Sequence, residues 1–158
     1  RDWSSDVCSS DLLRLLIDAS GAPTVTCSTH EDEAGRRWRV ALADTPIDDR
    51  SPFLFNKTTA REVYDAARRQ RPDADDVLLW NARGEITEST IANVVVELMG
   101  ARVTPPITCG LLGGIAREEA LVKGEMTERI ITRADLAQAS RVWLLNSLRG
   151  WRAADVID

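Results

Sequence analysis

Short apolar runs separated by turn residues dominate the first 43 positions of the chain. Residues with β-branched or aliphatic side chains cluster in each run, which is typical of strands. Gly, Pro, Ser and Asp fill the intervals and indicate turns. We therefore expect a β-meander of three strands at LLRLLID 12–18, TVTCSTH 24–30 and RRWRVALA 36–43.

A helical period replaces this pattern between Thr58 and Arg69. Val63, Ala66 and Ala67 fall on one face of that helix, and Pro72 ends it. At its start, Thr59 followed by Glu62 predicts a capping box.

The second half of the chain mixes strands with short helices. We predict a helix from about Ile115 with Gly124 as its C′ residue, and a short helix capped by Thr132 with Asp135. The predicted strands are VLLW 77–80, IANVVVEL 91–98, RIIT 129–132 and RVWLLN 141–146, with a turn at 81–84. Because strands and helices do not alternate strictly and no repeat is present, an α+β domain with a mixed sheet is predicted.

Composition narrows the possible functions. The 158 residues are 44% apolar and 28% charged, as in a single globular domain, and the net charge is −5. An acidic chain with dispersed arginines does not favour nucleic acid or an acidic membrane as a partner. No apolar run approaches the length of a membrane span. Cys8, Cys27 and Cys109 are odd in number and show no metal-ligand spacing, so we expect a cytoplasmic protein without a metal site.

Lys57 is the first candidate catalytic residue. It follows the apolar triplet 53–55 and precedes a helix, a position that could partly desolvate its amine. Only a neutral amine attacks an aldehyde, so desolvation would favour Schiff-base formation. From position alone, a solvated lysine at a helix start is the alternative.

Glu88 precedes a strongly apolar strand. A buried carboxylate there would need a cationic or hydrogen-bonding partner, and a pyridinium N–H would be both. The alternative is an N-cap or an exposed turn acid. Asn93 follows in the strand and could orient Glu88 or satisfy a neighbouring loop.

The segment GLLGGIAR at 110–117 is a glycine-containing loop that leads into a helix. Exposed amide groups at a helix N-terminus bind phosphate readily, although such loops are frequent without any ligand. Asn146 and Ser147, at the end of the last predicted strand, are further candidates for phosphate binding.

In their order along the chain, the segments NKTTAR, LLWNARGEITESTIANVVVEL, VTPPITCGLLGGIAREEAL and VWLLNSLRGW resemble the fold-type IV pyridoxal-phosphate enzymes, the class IV aminotransferase family. The likeness is greatest to the aminodeoxychorismate lyase domains that are fused to aminodeoxychorismate synthase component I. It implies that residues 13–158 are the large, C-terminal, cofactor-binding domain of the D-amino acid aminotransferase-like fold.

The resemblance also assigns roles. Lys57 would form the Schiff base with pyridoxal 5′-phosphate, and Glu88 would hold the pyridine nitrogen. The remaining positions that match cofactor-binding residues are Ile91, Ala92, Asn93, Leu112, Ile115, Ala116 and Ser147. Thr59 and Arg61 are possible pocket residues. Family members often carry Pro where Gly113 stands and His where Asn56 stands.

The implied activity is a lyase that releases pyruvate from aminodeoxychorismate to form 4-aminobenzoate for folate synthesis. A branched-chain or D-amino-acid aminotransferase is the alternative enzyme, and an inactive fragment is the alternative outside catalysis. The family also implies a homodimer and a smaller N-terminal domain, with a phosphate-binding arginine, that this sequence lacks. Residues 1–12 resemble a translated sequencing adapter and are set aside.

Overall fold

The computed structural model describes residues 11–29 and 35–158, which belong to two compact units. In the first unit, β1 (Asp11–Ile17) and β2 (Pro23–Thr29) form an antiparallel hairpin. Asp18 closes the turn, since its carboxylate accepts hydrogen bonds from the amides of Ser20 and Ala22 at 2.8 and 2.9 Å. The first two predicted strands are confirmed. Residues 1–10 of the adapter-like segment lie outside the described residues, whereas residues 11 and 12 belong to β1.

The second unit is built on an eight-stranded mixed sheet. Its strands are β3 Trp38–Leu42, β4 Asp76–Trp80, β5 Ile86–Ser89, β6 Asn93–Leu98, β7 Ala101–Thr104, β8 Thr127–Glu128, β9 Arg141–Asn146 and β10 Gly150–Ile157. They lie in the order β5-β4-β3-β10-β9-β6-β7-β8, and β5 also pairs with β6, so six of the strands form a closed ring. Pairings β3–β10, β3–β4 and β7–β8 are parallel.

Three α-helices and two 3-10 helices accompany this sheet. Helices α1 (Glu62–Gln70), α2 (Ile115–Val122) and α3 (Arg133–Ala137) are short, and the 3-10 helices span Pro52–Leu54 and Ile107–Cys109. The α+β prediction is therefore confirmed. Within the described residues, none of the helices has the length and apolar character needed to cross a membrane.

The central strands are buried on both faces. Leu78 of β4 and Val94 and Val96 of β6 belong to the main core cluster. Their neighbours point the other way: Val77 packs with residues of α1, and Val95 packs with residues of α2. Burial on both faces explains why these strands read as continuous apolar runs in the sequence.

Several local predictions are confirmed. The strand at 77–80 is β4, the strand at 91–98 contains β6, and the strand at 141–146 is β9. Gly124 follows the C-cap of α2 with a φ of +69°, as a C′ glycine does. Thr132 and Asp135 form the predicted capping box of α3.

Other predictions are wrong for identifiable reasons. The opening is not a β-meander, because β3 pairs with β10 and β4 and not with the hairpin. Helix α1 begins at Glu62, and its N-cap is Arg61 without a side-chain cap, so the capping box of Thr59 and Glu62 does not form. Residues 129–132 do not form a strand, because the short strand in this part of the chain, β8, ends at Glu128. Ile131 is nevertheless fully buried, which accounts for the apolar character of that run.

Candidate functional site

Lys57 lies in the segment between the 3-10 helix Pro52–Leu54 and α1. Leu54 is 2% exposed and anchors this segment in the core under α1. Phe53 and Phe55, however, are 54% and 40% exposed, and the Lys57 side chain is exposed too. The expectation that the apolar triplet desolvates Lys57 is thus wrong for this chain.

Glu88 is a buried carboxyl in the middle of a strand. It lies in β5 and is 4% exposed, so it is neither an N-cap nor an exposed turn acid. Burial raises its pKa to about 7, against the combined influence of the Tyr64 hydroxyl, the Leu112 amide and the positive charges of Arg61 and Lys57, which lower it. A carboxyl in this setting is a good acceptor for a cationic hydrogen-bond donor.

Lys57 and Glu88 are coupled electrostatically. The ammonium charge of Lys57 lowers the pKa of Glu88, as the weakest of the influences that act on it, although the residues belong to different elements. An amine and a buried carboxyl are the minimum protein chemistry of a Schiff-base cofactor site.

Asn93 holds the glycine loop against the sheet. It is directly opposite Glu88 in the β5–β6 pairing, and its Nδ2 donates to the carbonyl oxygen of Leu112 at 2.8 Å. The amide of Leu112 in turn donates to the Glu88 carboxylate. Of the two roles considered for Asn93, the structure therefore supports contact with the loop.

Gly114 allows this close approach. A Cβ atom on Gly114 would lie 2.3 Å from Asn93 Oδ1, well inside van der Waals contact. The same glycine is the N-cap of α2 and gives that helix no side-chain cap. The first amide groups of α2, which include those of Ile115 and Ala116, have no carbonyl partner within the helix. Ile115 is 77% exposed and Ala116 is half-buried, so this end of the helix is accessible.

One hydrogen bond joins the loop after β5 to the end of β9, and a second one lies within the turn that follows β9. Asn146 Nδ2 donates to the carbonyl oxygen of Ile91 at 3.2 Å, and Asn146 Oδ1 accepts from the Arg149 amide at 2.7 Å. Ser147 is exposed in this turn. Ile91 is 41% exposed, whereas Ala92 is buried at 7%. The predicted site residues therefore lie on β5, β6, the start of α2, the loops beside these elements and the turn after β9, and Lys57 lies with Arg61 on the α1 side.

The sequence patterns did not identify Tyr64 as a site residue. The helical period placed Val63 on the apolar face of α1, but Val63 is 40% exposed and Tyr64 is the buried side chain. Its hydroxyl donates to Glu88 Oε1 at 2.8 Å. The chain contains one tyrosine, and its position on a helix that follows Lys57 was the available signal.

Comparisons of the sequence with known proteins point to one family. The family model of amino-transferase class IV matches residues 11–157. A provisionally assigned aminodeoxychorismate lyase of Schizosaccharomyces pombe is 36% identical over 108 residues, which cover 64% of this chain and 47% of that protein. A provisionally assigned branched-chain-amino-acid aminotransferase of Thermotoga maritima is 29% identical over 109 residues, which cover 66% of this chain and 40% of the relative.

A solved structure shows the same fold. The crystal structure of a provisionally assigned amino-acid aminotransferase from Mesorhizobium loti is 38% identical and superposes with a TM-score of 0.86 over 92% of this chain and 72% of that chain. The fold-type IV architecture that the sequence resembled is confirmed. The chain spans less than half the length of the two curated relatives that it matches.

Proposed function

Because the chain belongs to the amino-transferase class IV family, whose enzymes depend on pyridoxal phosphate, we propose that it is the cofactor-binding large domain of a 4-amino-4-deoxychorismate lyase. The parent enzyme would release pyruvate and leave 4-aminobenzoate, a step of folate synthesis. The observation that carries the proposal is the buried Glu88 carboxyl, which accepts a hydrogen bond from Tyr64 and has a pKa raised to about 7 by burial.

The residues present suit the cofactor. Glu88 offers a buried acceptor for the pyridine N–H, and the N-terminus of α2 offers the amides of Ile115 and Ala116 to the phosphate. The hydroxyl of Ser147 would add a phosphate donor, and Leu112, Ile91 and Ala92 would line the ring site. When bound, pyridoxal phosphate supplies an electron sink for a carbanion at the amine-bearing carbon.

The chain's own residues would perform two tasks. Lys57 Nζ would bind the cofactor carbonyl and, once displaced by the substrate amine, would take the proton from the neighbouring carbon. Its exposure leaves it able to reach a substrate from solvent. Glu88 would remain fixed and keep the proton on the ring nitrogen through charge complementarity.

An aminotransferase is the second candidate, because this chain is also 29% identical to the branched-chain enzyme of Thermotoga maritima. Both reactions require the same roles of Lys57 and Glu88. The choice would depend on substrate contacts outside these residues, which we assign to the small N-terminal domain. Our proposal further includes a homodimer, fusion to aminodeoxychorismate synthase component I and a cytoplasmic location.

Covalent trapping tests cofactor binding directly. The protein is incubated with pyridoxal phosphate, reduced with borohydride, digested and mapped by mass spectrometry. The chain has two lysines, so Lys123, an exposed residue ion-paired with Glu119 at 2.7 Å, is an internal control. We expect a stoichiometric adduct at Lys57 that disappears in Lys57→Ala and persists in Lys123→Ala. Equal labelling of both lysines, or none, would contradict the proposal.

Activity then separates the two enzymes. The chain is fused to the N-terminal domain of a relative and offered aminodeoxychorismate, or a branched-chain amino acid with a 2-oxo acid. Pyruvate and 4-aminobenzoate formation supports the lyase. Amino transfer without pyruvate release supports the aminotransferase, and labelled but inactive protein supports the inactive fragment.

A further inference from the structure

The hydrogen bond between Tyr64 and Glu88 joins α1 to the buried strand β5. Tyr64 is 8% exposed and Glu88 is 4% exposed, so their 2.8 Å contact is largely shielded from water. A hydroxyl that donates to an ionised carboxylate forms a charge-assisted bond, which is stronger than a neutral one. The interaction is therefore well placed to influence both the orientation and the ionisation of Glu88.

Arg61 packs over the tyrosine ring. Its guanidinium carbon lies 4.8 Å from the centre of the Tyr64 ring, and its Nη2 donates to the Thr90 carbonyl oxygen at 2.6 Å. Arg61 is thus hydrogen-bonded to Thr90, two residues after Glu88, and it also packs over the Tyr64 ring. Burial and the charge of Glu88 raise the pKa of Tyr64, so its hydroxyl keeps its proton and stays a donor.

The groups around Glu88 differ in whether their charge changes during the proposed reaction. Lys57 and Arg61 are the charged side chains that favour its ionised form, Tyr64 and the Leu112 amide are the donors, and Asn93 opposite is uncharged. In the proposed function Lys57 gains and loses a proton, so its influence varies through the reaction. The bond from Tyr64 is constant because its donor is neutral and enclosed. An ionised carboxylate has about four acceptor positions, so two donors leave positions for a further partner.

We infer that Tyr64 is a positioning residue of the cofactor site: its hydroxyl fixes the Glu88 carboxylate and favours its ionised form, so that Glu88 presents a negative charge to the pyridine nitrogen. The last step rests on the proposed function. The effect of Tyr64 on Glu88 does not, and it can be measured without cofactor.

The first test is a titration of the cofactor-free protein. Glutamate carboxyl carbons are labelled with carbon-13, and the Glu88 resonance is assigned by its loss in Glu88→Gln. In Tyr64→Phe we expect the midpoint of Glu88 to rise by about one to two pKa units, the worth of one hydrogen bond to a charged group. Val63→Ala, which alters an exposed neighbour on α1, is the matched control and should leave the midpoint unchanged. An unchanged midpoint in Tyr64→Phe overturns the inference.

The wild-type tyrosine gives a second measurement that does not depend on the stability of Tyr64→Phe. The chain has one tyrosine, so labelling its phenolic carbon yields a single resonance. We expect that resonance to shift as Glu88 ionises near pH 7, and we expect the step to vanish in Glu88→Gln. A tyrosine signal that is flat across this range in the wild type overturns the inference.

A third measurement distinguishes this inference from the proposed function. In protein that carries the cofactor on Lys57, the pKa of the pyridine nitrogen, followed by NMR of nitrogen-15-labelled cofactor, should move to a lower value in Tyr64→Phe, because a neutral Glu88 no longer favours protonation of the ring. An unmoved pKa of the ring nitrogen overturns the step toward the cofactor even if the cofactor-free titration succeeds. Failure of Lys57 to label contradicts the proposed function instead, and it leaves the cofactor-free result standing.

Discussion

Replacing Glu88 with Gln should stabilise the cofactor-free protein at alkaline pH and not at acidic pH. The carboxyl has a pKa of about 7 in the folded chain against 4.5 for an unperturbed glutamate. An unfolded chain therefore releases this proton more readily, so the contribution of Glu88 is fully favourable below pH 4.5 and is lost as pH rises through 7. A glutamine amide does not titrate, and its oxygen can still accept the hydrogen bond from Tyr64.

The magnitude follows from the two pKa values. At about 1.4 kcal/mol per pKa unit, the difference of roughly 2.5 units corresponds to about 3 kcal/mol once both states are ionised. Glu88 is 4% exposed, so screening by solvent does not reduce this figure greatly. Most of the loss falls between pH 5 and pH 8, where we expect the wild type to lose about 2.5 kcal/mol relative to Glu88→Gln.

Urea denaturation at a series of pH values measures this difference. The chain has five tryptophans, and their fluorescence reports unfolding. Glu119→Gln is the matched control, because Glu119 is exposed and Lys123 lowers its pKa, which would give a shift of the opposite sign. If the stabilities of wild type and Glu88→Gln stay parallel from pH 5 to pH 8, the raised pKa of Glu88, and the reasoning built on it, are refuted.

Two further predictions concern the elements that position the site. Gly114→Ala should destabilise the fold by about 1–3 kcal/mol in urea denaturation, because the added Cβ would meet Asn93 Oδ1 at 2.3 Å. Gly113→Ala is its control, since its Cβ would meet only the flexible end of Ile107 at 3.2 Å, and equal losses in both variants would contradict the assignment. Thr132→Ala should cost about 1 kcal/mol through loss of the α3 capping box, and Thr132→Ser should restore most of it. A neutral Thr132→Ala would mean that the cap contributes nothing.

Some elements could be predicted from the sequence because they depend on interactions between neighbouring residues. The capping box of Thr132 and Asp135 and the C′ position of Gly124 depend on side chains and backbone within one turn, and both formed as predicted. Strands β4 and β9 were recognised because apolar burial on both faces leaves a continuous apolar run.

Strands β5 and β10 were not recognised. Strand β5 carries the polar sequence ITES, yet all four of its residues are buried between β4 and β6. Strand β10 has the sequence GWRAADVI, without regular alternation, and it pairs with β3 on one side and β9 on the other. Their neighbours, which are distant in sequence, supply the hydrogen bonds that make them strands, so a local pattern cannot predict them.

The same division applies to the candidate site. The order of motifs by itself identified the family, because those residue types and spacings are carried in the chain, and it predicts Lys57, Glu88 and the glycine loop as site residues. It misjudged the environment of Lys57, which is exposed, and it placed Glu88 ahead of a strand, whereas the buried Glu88 lies within β5. Only the tertiary structure set the hydroxyl of Tyr64 against Glu88, 24 residues away in sequence, and Asn93 against the loop at Leu112. Burial and hydrogen-bond partners arise when separate elements pack together, and these are the quantities that determine the pKa of a carboxyl.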